Sequence, residues 1–176
     1  NLAFTQRARI EYALKGGRIN TDAVDNSAGV DLSDHEVNLK TLLRIRPDTE
    51  APEIGDANAL IASLTEDVCA SVLRDNDQQS LCLSLDRARC LVNLDPFMDI
   101  AEQLENAGYI NAAAEAFPTR KDVAARETKE LTRPELALLM ANAKLALKQR
   151  LLDYNEDDCV AMRVVMDAMK GFEVRG

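Results

Sequence analysis

Apolar residues fall at helical spacing along almost the whole chain. Phe4, Ala8 and Tyr12 recur every four positions and predict a short helix. Gly16 and Gly17 should end it, because glycine enters the left-handed conformation at a helix C-terminus without steric cost. Arg18 to Val24 reads as a short extended piece, followed by a loop of small residues, N-S-A-G-V, at 26–30. Ser33 then stands as an N-cap with Glu36 reaching back to it, which predicts a helix over 34–44. Residues 45–57 hold two prolines, a glycine and several acids without apolar periodicity, the composition of a linker or exposed loop.

Beyond that boundary every element is expected to be helical. Leu60, Leu64, Val68 and Val72 form one stripe, with Ile61, Cys69 and Leu73 beside it, and Leu81, Leu85, Ala88 and Val92 form the next. Asp95-Pro96 restarts a helix, since proline fits a first turn, and Phe97, Ile100, Ala101 and Leu104 line one face until Gly108. A shorter helical stretch from Ile110 to Phe117 stops at Pro118. Thr132-Arg133-Pro134-Glu135 joins a capping residue, a first-turn proline and a reciprocal glutamate. The following helix carries two stripes, Leu136/Met140/Ala143/Leu147/Leu151 and Leu138/Ala141/Leu145/Leu152, and so predicts a central buried element. A last helix, from about Glu156 to Lys170, presents Ala161, Val165, Met169 and Phe172. The expected fold is mainly α, a multi-helix bundle or array.

Size and composition narrow the classes. The 176 residues suffice for one substantial core. With 30 acidic against 21 basic residues the net charge is -9, which repels a phosphate backbone, so nucleic-acid binding is disfavoured. No apolar run approaches the roughly 20 residues that cross a bilayer, and a soluble protein without a membrane partner is expected. The first residues show neither a basic leader nor an apolar signal segment, and the missing initiator methionine fits a piece of a longer chain. Cys69, Cys82, Cys90 and Cys159 form no C-x-x-C pair and read as free thiols of a reducing cytoplasm, not as a zinc site.

The chemistry is concentrated at residues 16–40. In the loop reading, Asn26 offers an amide that donates and accepts, while Ser27, Ala28 and Gly29 let a ligand approach the backbone. The positive end of the following helix favours an anionic group near Ser33. The same residues also make an ordinary tight connection. Asp34, His35 and Glu36 do not form a metal cluster, because consecutive helical positions point about 100° apart. Asp22, Asp25 and Asp31 can supply an acid or base, or simply form solvated turns. No G-x-G-x-x-G, Walker loop, G-x-S-x-G elbow or H-E-x-x-H motif is found.

The run GGRINTDAVDNSAGVDLSDHEVN at 16–38 resembles a hallmark stretch of the large bacterial NAD-specific glutamate dehydrogenases, and TEDVCASVLRDNDQQSLCLSL (65–85) and LTRPELALLMANAKLAL (131–147) extend the resemblance. N-S-A-G-V-D-L-S at 26–33 is also similar to the N-A-G-G-V-T-V-S segment of the smaller hexameric glutamate dehydrogenases, with Ala28 and Asp31 as departures. The resemblance implies that Asn26 faces NAD and that Val30 and Ser33 face the glutamate side chain. It implies residues 1–44 as the C-terminal edge of an α/β dinucleotide-binding catalytic domain, 45–57 as a linker and 58–176 as a helical domain. It further implies a parent, a cytoplasmic homo-oligomer, that converts L-glutamate to 2-oxoglutarate and ammonia. Its activated lysine, catalytic aspartate and phosphate loop would lie upstream, so this piece alone should be inactive and should not bind NAD. The alternative is a non-catalytic all-α interaction or oligomerisation module, in which Met162, Met166 and Met169 pack on a partner.

Overall fold

The computed structural model describes the backbone of residues 3–44 and 54–173, with side chains over the same ranges except at 44, 54–57, 158 and 165–173. Helix α1 spans Gln6–Leu14, and the Thr5 hydroxyl caps it by accepting from the Ala8 N–H at 3.2 Å. It ends as expected at Gly16, whose φ is +86°. Gly17 follows because the Tyr12 ring lies where a side chain would stand, 2.1 Å from the position of its Cβ.

The extended piece expected from Arg18 to Val24 stops at Thr21, whose backbone is extended, because its last three residues are helical. Residues 17–21 hold no regular element, α2 spans Asp22–Asp25, and no strand occurs among the described residues. Arg9 supplies the reason. Its side chain is only 4% exposed, and it donates to the Asn20 carbonyl at 2.9 Å and to the Asp25 carboxylate at 2.8 Å, with Asp22 at 3.4 Å. One helical turn brings Asp22 and Asp25, three residues apart, to the same guanidinium.

The next correction concerns 26–33. Helix α3 spans Ser27–Arg44, so N-S-A-G-V is not a loop and Ser33 is an interior helical residue, not an N-cap. Glu36 does not reach back; it pairs forward with Lys40. The Lys40 hydrogen bond holds the Glu36 carboxyl below its ordinary range. Small residues permit a loop but do not compel one, and this segment carries helix-compatible pairs at i,i+4, Asp31/His35 and Glu36/Lys40.

Helix α4 spans Ile54–Ser63, so the end of the expected 45–57 linker is helical; the rest of that linker, residues 45–53, lies outside the described residues. Only Leu64 separates α4 from α5, Thr65–Val92. Val72, Leu83 and Cys90 form the buried line of α5, at intervals of eleven and seven residues, close to three and two whole turns. The expected stripe of Leu81, Leu85, Ala88 and Val92 is exposed instead. Leucines occur on both faces of this helix, and periodicity alone does not say which face meets a core.

Helix α6, Asp95–Asn106, has Pro96 in its first turn and buries Met98, Ala101 and Leu104, while Ile100 stays exposed. Gly108, at φ +78°, turns the chain back so that the Tyr109 N–H donates to the Leu104 carbonyl at 2.9 Å. Two short helices follow, α7 at Ala112–Glu115 and α8 at Arg120–Ala124. Arg120 ties α8 to α6 through Asp95, Asp99 and Glu102.

Helix α9 runs as one element over Arg133–Glu173, about 60 Å at 1.5 Å per residue. The separate last helix expected from Glu156 is therefore its continuation, because no proline follows Pro134 to break it. The expected Glu135 reach-back is present: its carboxylate accepts from the Thr132 N–H at 2.7 Å and from the Thr132 hydroxyl at 2.8 Å. The helix is central and buried only in its first turns. Leu136, Ala137 and Leu139 enter the core, whereas Leu145, Leu147, Leu151 and Leu152 are exposed. The side chains of Val165, Met166, Met169 and Phe172 lie outside the described set.

The core lies between α5, α6 and the start of α9. Leu83, Cys90, Met98, Leu104, Phe117, Val123, Leu131 and Leu136 meet there, and Val24 joins from α2. Helix α1 packs along α9, and α3 along α5. No helix among the described residues is long and apolar enough to cross a membrane.

Candidate functional site

Packing α3 against α5 leaves a cleft of about 670 Å³, closed on a third side by α9. The turn at 22–27 and the first half of α3 supply Asn26, Ser27, Val30, Asp31 and Asp34; α5 supplies Asp75, Gln78, Gln79 and Cys82; α9 supplies Met140 and Lys144. Arg133 braces this arrangement from below. It donates to the Asn20 side chain at 2.8 Å and to the Ser84 hydroxyl at 2.9 Å, joining the segment before α2 to α5 across the root of α9. Burial lowers the tendency of its guanidinium to hold a proton, the nearby Arg87 adds to that, and Asp25 opposes it.

Two of the three residues expected to face ligands line the cleft. Asn26 closes α2 and sits directly before α3, its carbonyl accepting from the Gly29 N–H at 3.2 Å. A side chain at Gly29 would come within 3.2 Å of Asn26 Oδ1, so glycine there leaves the amide its place. Val30 lies one turn further on, 62% exposed, with its apolar surface on the cleft. Ser33 is exposed on α3 and is not part of the cleft lining.

Asp31 and Asp75 of the cleft lining also meet His35, which lies outside that lining, a grouping that local sequence patterns do not bring together. Asp31 and His35 stand one helical turn apart on α3, with Asp31 Oδ1 3.7 Å from His35 Nε2. Asp75 of α5 approaches them from the opposite wall, and one ligand-type atom from each of the three lies within 4.8 Å of the others. The four-residue spacing of Asp31 and His35 was visible in the sequence, but only a helical reading of 26–33 turns it into proximity. Cys82 is exposed in the same cleft, 3.9 Å from the Asp86 carboxylate. Cys90 is buried in the core, and burial pushes its thiol up, so it is the unreactive member of the four.

Four aspartates, Asp22, Asp31, Asp34 and Asp75, line this cleft against Lys144. Such a wall attracts a cationic group and repels a phosphate. It suits a positively charged ring, an ammonium or a metal ion, and a pyrophosphate needs other residues.

Residues 1–86 match the family described as bacterial NAD-glutamate dehydrogenase, catalytic domain. Relatives called NAD-specific glutamate dehydrogenase carry the similarity along the rest of the chain: the Mycobacterium tuberculosis protein is 39% identical over 168 residues, or 93% of this chain. Residues 1–86 thus carry the sequence pattern of that catalytic domain, and nearly the whole chain is similar to one section of these dehydrogenases. The Pseudomonas aeruginosa relative is 40% identical over 159 residues, 86% of the chain, and the Halomonas elongata relative 38% over 173 residues, 94% of the chain. The chain spans 10% of the length of each of these relatives. No solved structure shows a significant match. The resemblance read from residues 16–38, 65–85 and 131–147 is thus borne out, and the family's members are large proteins of which this chain corresponds to a small part.

Proposed function

We propose that the chain is a section of an NAD-dependent glutamate dehydrogenase and contributes one wall of its active site. The observation that carries this reading is the convergence of Asn26 and Val30 on one cleft, within the segment that matches the family's catalytic domain. The parent reaction removes a hydride from Cα and a proton from nitrogen of L-glutamate. Water then adds to the imine, and ammonia leaves the resulting carbinolamine to give 2-oxoglutarate. NAD supplies the hydride acceptor. The residues here bind and orient: the Asn26 amide faces the nicotinamide, Val30 and Ser33 face the glutamate side chain, and the acidic wall attracts the positive ring and the substrate ammonium. Ser33 takes up its role with the remainder of the polypeptide in place. In this reading 1–44 is the edge of the catalytic region and 58–176 a helical domain beyond the 45–57 connection. The parent is a cytoplasmic homo-oligomer, and this section by itself neither turns over glutamate nor holds NAD.

The test uses the full-length enzyme. Asn26→Ala should raise KM for NAD about tenfold, the worth of one well-made hydrogen bond at roughly 1.4 kcal/mol, with KM for glutamate little changed. Unchanged NAD kinetics would remove Asn26 from the cofactor site.

A second reading, an all-α interaction or oligomerisation module, is favoured by the exposed Leu145, Leu147, Leu151, Leu152, Val160 and Met162 along the outer part of α9. Light scattering on the isolated chain separates the two. Concentration-dependent self-association supports the module, and monomeric behaviour supports a face that the rest of the large protein covers.

A further inference from the structure

We propose that Asp31, His35 and Asp75 form a site for a single divalent transition-metal ion of the Zn²⁺ type at the mouth of the α3–α5 cleft. The geometry carries this. Asp31 and His35 are one turn apart on the same face of α3, and Asp75 comes from a different helix, so the three side chains converge from two walls. The atoms Asp31 Oδ1 and His35 Nε2 are 3.7 Å apart, too far for a hydrogen bond. Ligand atoms on a common ion with bonds of about 2.0–2.2 Å stand roughly 3–3.5 Å from one another, so small rotations of the half-buried Asp31 and His35 and the exposed Asp75 close the site. One imidazole and two carboxylates are the donor set of a borderline ion; an all-oxygen shell would suit Mg²⁺ or Ca²⁺ instead.

The surroundings agree with the assignment. Asp22 and Asp34 add negative charge to the same cleft, which lowers the cost of bringing a cation there. Three protein ligands would leave one or more coordination positions for an anionic ligand. The acidic cleft, which repels anions when empty of metal, then acquires an electrophilic point beside Val30. This inference rests on the three side chains and not on the assignment of the cleft to glutamate or NAD.

The experiment is Zn²⁺ titration calorimetry on the 176-residue chain after chelator treatment, with Co²⁺ absorption as a second readout. Three exposed cysteines are competing ligands, so the titration is run in a Cys69→Ser, Cys82→Ser, Cys159→Ser background whose helical circular dichroism is unchanged. One ion per chain is expected, with the weak visible bands of a nitrogen- and oxygen-ligated Co²⁺. His35→Ala and Asp75→Asn, each retaining the helical spectrum, should each weaken binding by at least about tenfold. The proposal is overturned if the cysteine-replaced chain binds no ion in a saturable way. It is equally overturned if both variants bind as the parent does, in which case any ion sits elsewhere.

Discussion

The root of α9 and the first half of α3 are both helical, yet they are stabilised by opposite means. At the root of α9 a carboxylate with no exposed surface, Glu135, answers Arg126 at 2.8 and 2.6 Å and the Thr132 backbone at 2.7 Å, while Leu136 and Ala137 fill the core beside it. On α3 the large apolar residues Val30, Leu32, Val37 and Leu42 are exposed, and the Glu36–Lys40 pair lies at the surface. The first region is completed by its own chain. The second leaves its apolar side chains uncovered by the described residues, in a chain that spans 10% of the length of its relatives.

Breaking the first region should have the largest effect. Glu135→Ala leaves the Arg126 guanidinium, whose side chain is 13% exposed, without its carboxylate and frees the Thr132 N–H in a buried setting. The expected loss is about 3–5 kcal/mol, as for other buried pairs cut on one side. Urea unfolding followed by circular dichroism measures it. Arg126→Met combined with Glu135→Leu should recover a good part of that loss, because no uncompensated charge remains. A loss in Glu135→Ala below about 1 kcal/mol would mean that the root of α9 is no better anchored than a surface helix.

How much of this was legible in the sequence follows the same division. The start of α9 was readable because Thr132, Pro134 and Glu135 act through local bonds that three residues suffice to specify. The ends at Gly16 and Gly108 were readable for the same reason, a positive φ that glycine tolerates. The buried face of α5 was misread, since Leu81 and Leu85 are as apolar as Leu83 and only the position of α9 and α6 selects among them. The start of α3 was misread because Asn26, Ser27 and Gly29 serve equally in a loop or at a helix start, and the choice depends on Arg9 gathering Asp22 and Asp25 upstream. At the candidate site, the roles of Asn26 and Val30 came from family resemblance, and the structure brings both to one cleft. The trio of Asp31, His35 and Asp75 needed two helices placed side by side, which no local pattern encodes.

A smaller effect is expected at the junction between these extremes, where α8 closes the core but lies at the surface. The Thr119 hydroxyl accepts from the Asp122 N–H at 3.2 Å, and the Asp122 carboxylate accepts from the Thr119 N–H at 2.9 Å. Thr119→Ala should cost about 1 kcal/mol. The Thr119 hydroxyl and backbone N–H hold the Asp122 carboxyl below its usual range. A carboxylate whose folded pKa is depressed contributes stability above its unfolded pKa and loses it as the pH falls through the folded one. The stability difference between the chain and Asp122→Asn should therefore be present at neutral pH and should close on acidification below the ordinary aspartate range. A difference that persists at low pH would assign the effect to side-chain shape and not to charge.

The smallest effect sharpens the comparison from the other side. Leu42 is 66% exposed on α3, so truncating it removes little surface that this chain itself buries. Leu42→Ala should change the stability of the isolated chain by less than about 0.5 kcal/mol, whereas an equally conservative truncation at Leu83, which is fully buried, should cost about 2–5 kcal/mol. The same Leu42→Ala change in the full-length protein is the informative partner. If the exposed side of α3 is covered there, the substitution becomes costly and hydrogen exchange along α3 accelerates. An equally silent result in both would make α3 a solvent-facing helix in the large protein too, and the difference between the two regions would then reflect local packing alone.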